Sequence, residues 1–171
     1  GKGVSMNLQT KDEVIAAYAI ASKFDENVIV ERYIKGNDYR VLVVGDQVVA
    51  VAQRIPAQVK GDGIHSIREL VELVNADPKR GDDHEKPLTK IVVDEISINL
   101  LKKQGYTLDT IPAPGVIVRL KENGNISTGG EAIDCTEKIH PLNQEIAIRA
   151  ARIIGLDVAG IDICCKDISK P

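Results

Sequence analysis

The sequence predicts an α+β fold, and three observations carry that prediction. Two β-branched segments, Val28-Ile29-Val30 and Val41-Leu42-Val43-Val44, flank a short polar connector. Gly45-Asp46 is a tight-hairpin signal, so 39–44 and 47–54 are expected to pair as antiparallel strands. Thr10-Lys11-Asp12-Glu13 and Ser66-Ile67-Arg68-Glu69 are capping boxes, each able to satisfy two orphan N–H groups at the start of a helix.

The first box opens a helix over about 11–23, with Val14, Ala17, Tyr18 and Ala21 on one face. Strands are expected over 28–33, 39–44 and 47–54. Valine and alanine alternate along 48–52, as a strand with one wet face requires. Residues 56–114 read as an insertion of two helices and a loop carried on the sheet, not as a separate domain. Pro56 ends the preceding strand and Gly61-Asp62-Gly63 makes a turn. The second box opens a helix to about Asn75, which Asp77-Pro78 stops. The charge-rich stretch 77–87, with two prolines, predicts a mobile surface loop. A further helix runs from about Asp94 to Gln104, with Gly105 as its stop, and Ile111-Pro112-Ala113-Pro114-Gly115 leads back to a strand at 116–120. Beyond the glycine-rich stretch 123–130, Pro141 opens a helix over about 141–154 that Gly155 ends. Its expected apolar face is Ile146, Ala147, Ala150, Ala151 and Ile154. A buried strand is expected from Val158 to Cys165.

Composition narrows the function classes. At 171 residues and 43% hydrophobic, the chain can bury a real core, and 3% aromatics with no Trp make that core aliphatic. A net charge of −3 lacks the basic footprint of a nucleic-acid partner. No apolar run approaches the roughly 20 residues of a membrane span and no signal peptide is present, so the expectation is no membrane and a cytoplasmic location. Cys135, Cys164 and Cys165 fit neither a disulfide framework nor zinc-ligand spacing, in keeping with a reducing compartment. The chain starts on Gly1-Lys2-Gly3-Val4, which reads as the tail of a glycine-rich loop, and stops at Ser169-Lys170-Pro171. The expectation is a piece of a longer polypeptide.

Several stretches hold residues with chemistry to offer. The linker in 28–44 can present backbone groups of Glu31, Arg32 and Ile34 to an adenine edge, with Asp38 on ribose hydroxyls; an ordinary strand–turn–strand with a solvated acid is the alternative. Arg40 sits early in one strand and Arg54 ends the next. Beside a nucleotide they would neutralise charge developing in a transition state; otherwise they are surface residues on the wet face of the sheet. Asn123-Gly124-Asn125-Ile126-Ser127-Thr128-Gly129-Gly130 offers N–H groups and hydroxyls that suit phosphate or carboxylate oxygens, or else forms a long structural turn. It is not a Walker loop, because no Lys follows its glycines. Asp162, in an otherwise apolar strand, needs either a magnesium ion or a buried salt bridge to offset its burial. Lys2, between two glycines, could cover nucleotide phosphates. His65, His84 and His140 read as surface residues, and the adjacent cysteines as small core and edge fillers.

These elements stand in the order of an ATP-grasp ligase: glycine-rich loop, helix, adenine hinge, arginine-bearing strands, Asn-rich loop, helix and metal aspartate. The chain resembles that family along its whole length. The finer resemblance is to the ATP-grasp domain of cyanophycin synthetases. It is carried by Val30-Glu31-Arg32-Tyr33-Ile34 with Asp38-Tyr39-Arg40-Val41-Leu42-Val43-Val44, and by Val59-Lys60-Gly61-Asp62-Gly63. Asn125-Ile126-Ser127-Thr128-Gly129-Gly130 and Gly155-Leu156-Asp157-Val158-Ala159-Gly160-Ile161-Asp162 complete it. Bifunctional glutathione synthetases share the Gly-Asp-Gly insertion and the Asn-Ile-Ser-Thr-Gly-Gly motif. The stretch from Thr136 through His140-Pro141 to Asp162 is more similar to the cyanophycin type.

The resemblance implies a partial ATP-grasp fold, in which two lobes close on ATP, with ATP and Mg2+ as cofactors. It implies that a carboxylate attacks the γ-phosphate, ADP leaves, and an amine attacks the resulting acyl phosphate. In the cyanophycin type the substrates would be aspartate and a poly-aspartate primer. A Mur-ligase-like domain of the same parent chain would attach arginine. By position, Glu31, Arg32 and Ile34 match the adenine hinge and Asp38 the ribose ligand. Arg54, with Arg40 nearby, matches the arginine that stabilises the tetrahedral intermediate. Asn125, Ser127, Thr128, Gly129 and Gly130 match the loop facing the phosphates and the acceptor, and Asp162 the first magnesium ligand. The family's phosphate-contacting lysines would lie mostly upstream of Gly1, and its Glu-x-Asn metal pair after Pro171. The chain by itself is therefore expected to be inactive, to bind Mg·ATP weakly or not at all, and to expose a sheet edge that favours self-association. A glutathione-type ligase and a non-catalytic nucleotide-binding module are the alternatives.

Overall fold

The computed structural model describes residues 3–82 and 85–171, so Lys2 and His84 lie outside the described residues. The chain divides into two compact units, Gly1–Lys35 and Gly36–Pro171.

The first unit is built on helix α1 (Lys11–Ala21). Its capping box forms as expected: Thr10 Oγ1 accepts from the Glu13 N–H at 3.2 Å, and the Glu13 carboxylate accepts from the Thr10 and Gln9 N–H groups at 2.9 and 2.7 Å. Val14, Ala17 and Ala21 are half-buried, but Tyr18 is exposed, and no residue of α1 is fully buried. So short a stretch has too little apolar surface to cover a helix on one side. The strand expected over 28–33 does not form. Residues 28–35 have no regular structure and are mostly exposed, because a strand needs a ladder partner and no other strand lies among the described residues of this unit.

The second unit runs, in chain order, β1 (Asn37–Val44), β2 (Gln47–Ile55), β3 (Gln58–Lys60), α2 (Ile67–Asn75), β4 (Arg80–Gly81), β5 (Leu88–Thr89) and α3 (Glu95–Lys103). β6 (Ile117–Arg119), β7 (Glu131–Asp134), α4 (Pro141–Ile154) and β8 (Val158–Cys165) follow. Its main sheet is antiparallel with order β7-β2-β1-β8. The β1–β2 hairpin turns at Gly45, whose φ of +56° suits glycine. One face is core: Tyr39, Val41 and Val43 of β1 and Val51 of β2 pack with Cys135, Ile139, Ala159, Ile168, and Ala147 and Ala151 of α4.

Two expectations about this core are corrected. The buried stripe of α4 is Ala147, Ala151 and the half-buried Ile148, at helical spacing, while Ile146 and Ile154 face outward. Strand β8 is not buried throughout. Ala159 faces the core, but Val158, Gly160, Asp162 and Cys164 are exposed, because α4 covers only one face of the sheet. His140 is half-buried and N-caps α4, its Nδ1 accepting from the Leu142 N–H at 3.2 Å.

Residues 56–121 have a second core of Ala57, Val59, Ile67, Leu70, Val71, Ile91, Leu101, Val118 and Leu120. The Ser66 capping box and the helix stop at Gly105 (φ +80°) form as expected. At the Gly-Asp-Gly turn, His65 has a partner after all. Its Nδ1 lies 2.6 Å from Asp62 Oδ2, while Asp62 Oδ1 accepts from the N–H groups of Ile64 and His65. The ring contact and those amides hold the Asp62 carboxyl well below its ordinary range, and Asp62 in turn raises His65. Asp94 caps α3. It accepts from the Ser97 N–H and hydroxyl, and from the buried Lys121 ammonium at 2.6 Å.

Burial opposes the charge on Asp94, but the Lys121 and Ser97 donors outweigh it and bring the pKa from 3.8 to about 2. A depressed folded pKa contributes stability above the unfolded value and loses it as pH falls through the folded one. Over the window from 3.8 to about 2, Asp94→Asn is therefore expected to lower the melting temperature less steeply with acid than the wild type. Parallel acid profiles of the two proteins would refute this.

Candidate active site

The uncovered face of the sheet gathers four of the expected site residues. Strand alternation turns Tyr39, Val41 and Val43 inward, so Asp38 and Arg40 turn outward. Register then sets Arg40 opposite Asp162, and Asp38 opposite both Arg54 and Cys164. Arg40 grips Asp162 with two donors, Nε at 2.5 Å and Nη2 at 3.1 Å, in the bidentate arrangement that a planar guanidinium favours. Arg54 reaches the same carboxylate, Nη2 to Oδ2 at 3.5 Å. Gly160 makes the grip possible. A Cβ there would stand 2.9 Å from Arg40 Cδ, so glycine leaves the room that the arginine uses to lie across β8.

The expected burial of Asp162 is not found, since its side chain is 54% exposed. Its partners are two arginines, Arg40 half-exposed and Arg54 more enclosed, rather than a buried ion pair. Arg54 is the more enclosed cation, and its Nε–H is buried without an acceptor among the described residues. Leaving such a donor unmade is costly, and the carboxylate that Arg54 touches through Nη2 does not satisfy it.

The glycine-rich stretch closes over the end of β2. A Cβ at Gly124 would lie 2.8 Å from Arg54 Cβ and from its carbonyl oxygen. Residues Ile126–Thr128 form a 3-10 turn, and Gly129 follows in the left-handed region at φ +92°. The N–H groups of Thr128 and Gly130 and the Thr128 hydroxyl all donate to the Asn125 carbonyl, and the Gly129 N–H to that of Ile126. Those donors close the turn instead of facing outward as expected. Ser127 is exposed, and its hydroxyl has no partner among the described residues.

Sequence reasoning missed Arg80. The described residues of the surface loop expected over 77–87 are mostly exposed, but Arg80 within it is buried. It donates from Nη1 to the carbonyls of Thr89 at 2.7 Å and Gly129 at 3.0 Å, and from Nη2 to Glu131 Oε1 at 2.6 Å. Nothing in its charge-rich stretch distinguishes it from its solvated neighbours. Glu31, Arg32 and Ile34 belong to the first unit, where they are exposed. Among the described residues no three His, Cys, Asp or Glu side chains come together as a metal site, so Asp162 offers a single carboxylate. No helix among them is long and apolar enough to cross a membrane.

No family model matches the sequence. Curated relatives do. The chain is 50% identical over 171 residues to cyanophycin synthetase of Trichormus variabilis, covering all of this chain and 19% of that protein. It is 49% identical to cyanophycin synthetase of Synechocystis sp., again over its whole length and 20% of the relative. The glutathione biosynthesis bifunctional protein of Mannheimia succiniciproducens is 41% identical over all of this chain and 23% of its own. Among solved structures, the bifunctional glutathione synthetase from Pasteurella multocida superposes with a TM-score of 0.72 at 40% identity, over 99% of this chain and 23% of that one. The chain thus spans roughly a fifth of the length of the relatives it matches. It carries part of an ATP-grasp fold, and over its whole length it corresponds to a stretch shared by cyanophycin synthetases and bifunctional glutathione synthetases.

Proposed function

We propose that this chain is part of an ATP-dependent carboxylate–amine ligase that adds aspartate to the C-terminal carboxylate of a poly-aspartate backbone. The observation that carries the proposal is the open sheet face, where Arg40 and Arg54 converge on Asp162 while Arg54 keeps a buried donor without an acceptor. Such a face suits a reaction in which negative charge arrives and then grows.

A free carboxylate is a poor electrophile. Its oxygen bonds to the γ-phosphorus of ATP, the bond to the bridging oxygen breaks, and ADP departs with that electron pair. The aspartate amine then attacks the acyl carbon, giving a tetrahedral oxyanion that expels phosphate as the amine loses a proton. Arg54 would stabilise the oxyanion, and Arg40 would neutralise phosphate oxygens. Asn125, Ser127, Thr128, Gly129 and Gly130 would face the phosphates and the acceptor end. Glu31, Arg32 and Ile34 would read adenine, Asp38 the ribose, and Lys2 the phosphates.

Asp162 fits a Mg2+ ligand. It is a half-exposed hard oxygen donor on the open face of the sheet. When bound, Mg2+ would neutralise charge on the ATP phosphates.

The likeness to a solved glutathione synthetase favours a second reading, with glycine as the amine and γ-glutamylcysteine as the carboxylate. Identity of 50% against 41% ranks the aspartate-adding reading first. The test is ADP release by the longer protein that either reading requires. Aspartate with an aspartyl-arginine primer is compared with glycine and γ-glutamylcysteine. Turnover with the first set alone is expected; turnover with the second alone would overturn the substrate assignment.

A further inference from the structure

We infer that Arg80 is a positioning residue: from the insertion it holds the Gly129 carbonyl and the Glu131 carboxylate, and so fixes the turn that presents Asn125 and Ser127 to the acceptor carboxylate. The second half of this statement rests on the ligase reading above; the clamp itself does not.

The Arg80 side chain is 2% exposed. A guanidinium that enclosed persists only where its donors are used. Here they are spent on three points drawn from both sides of a junction: Thr89 in the insertion, and Gly129 and Glu131 at the glycine-rich turn and β7. Contact with the Gly129 carbonyl sets the plane of the peptide that follows it, which an apolar neighbour could not do.

The same turn is braced again from behind. A Cβ on Gly129 would stand 2.7 Å from the Ile91 Cα, so the two backbones are in close contact. Ile91 is itself held by the Asn75 side chain, whose Nδ2 donates to the Ile91 carbonyl at 2.9 Å and whose Oδ1 accepts from its N–H at 2.7 Å. Arg80 and Ile91 therefore brace the rear of a turn whose front carries the exposed Ser127. The insertion supplies none of the residues assigned to the chemistry, yet it keeps a glycine-rich segment in one conformation. Glycine-rich backbone is otherwise free to sample many, and a loosely held site loses the benefit of orientation.

Three variants test this: Arg80→Gln, Arg80→Lys and Glu131→Gln. Glu131 is half-exposed, so its variant keeps the fold even if Arg80→Gln does not. In the 171-residue chain, amide hydrogen exchange at Thr128, Gly129 and Gly130 is expected to speed up about tenfold in Arg80→Gln and Glu131→Gln, with α4 unchanged and Arg80→Lys intermediate. In the longer ligase, KM for the carboxylate substrate is expected to rise about tenfold, KM for ATP to stay within about twofold, and Arg80→Lys to recover part of the loss. Faster exchange spread evenly over the turn and α4 would make Arg80 a general stabiliser and overturn the clamp. Loosened exchange with an unchanged KM would overturn the positioning role. If the unsubstituted longer protein turns over neither substrate set while the turn still loosens, the clamp is upheld and the ligase reading falls.

Discussion

Replacing Arg54 by alanine in the longer ligase is expected to cut turnover about 100- to 1,000-fold while leaving ATP affinity within a few-fold. The asymmetry follows from where the side chain lies. Its guanidinium shares the Asp162 carboxylate with Arg40, which makes the closer, two-donor contact, so Asp162 keeps a strong partner after the substitution. The charges placed before reaction therefore change little. What disappears is a mostly enclosed cation with a donor still lacking an acceptor, the group best suited to a charge that exists only in the transition state. Steady-state ADP release and equilibrium nucleotide binding, measured on the same variant, separate the two effects. A variant that binds ATP normally and turns over normally would point to a nucleotide-binding module whose chemistry lies elsewhere. A variant that loses ATP affinity by the same factor as turnover would move Arg54 to ground-state binding.

Gly129→Ala is expected to destabilise the Gly36–Pro171 unit by about 2–4 kcal/mol. Two costs combine. A residue with a Cβ is strained at φ +92°, and the new methyl would meet the Ile91 Cα at 2.7 Å, a backbone atom that Asn75 holds in place. Gly105→Ala is the matched control. Gly105 has φ +80° but nothing within 4 Å of where its Cβ would go, so it bears the conformational cost alone, about 1 kcal/mol. Chemical denaturation of both variants isolates the collision. Equal losses would mean that the turn moves away from Ile91 freely, against the close fit described above.

The sequence made much of this architecture legible where local chemistry decides the outcome. Capping boxes at Thr10 and Ser66, Pro141 at a helix start and glycine at positions 105 and 155 place the helix ends, because each satisfies or releases specific backbone groups. Long-range partners were harder to see. The apolar run at 28–30 resembles a strand, yet it finds no ladder among the described residues of its unit. Conversely, β7 is short and exposed throughout, and it exists only because β2 offers an edge. The face of α4 was displaced because two alanines, not the larger isoleucines, lie against the sheet. The gathering of Asp38, Arg40, Arg54 and Asp162 was accessible from strand parity. The burial of Arg80 was not, since its three acceptors come from two backbone carbonyls and one distant carboxylate.

Parity has a consequence for how this protein can change. In β1 and β8 the odd-numbered residues build the core and the even-numbered ones the open face. A single residue inserted or deleted early in β1 would exchange its two sets, burying Arg40 and exposing Val41, and the same change early in β8 would bury Asp162. The register break between Leu42 and Val43, which leaves Val49 as an extra residue in β2, lies beyond Arg40 and Arg54 and spares their alignment. Strand length is thus under tight constraint, whereas identity at Leu42, Ala52 and Val158, on the open face and outside the core, is comparatively free. Those three positions are where a library could vary the open face at little cost to folding.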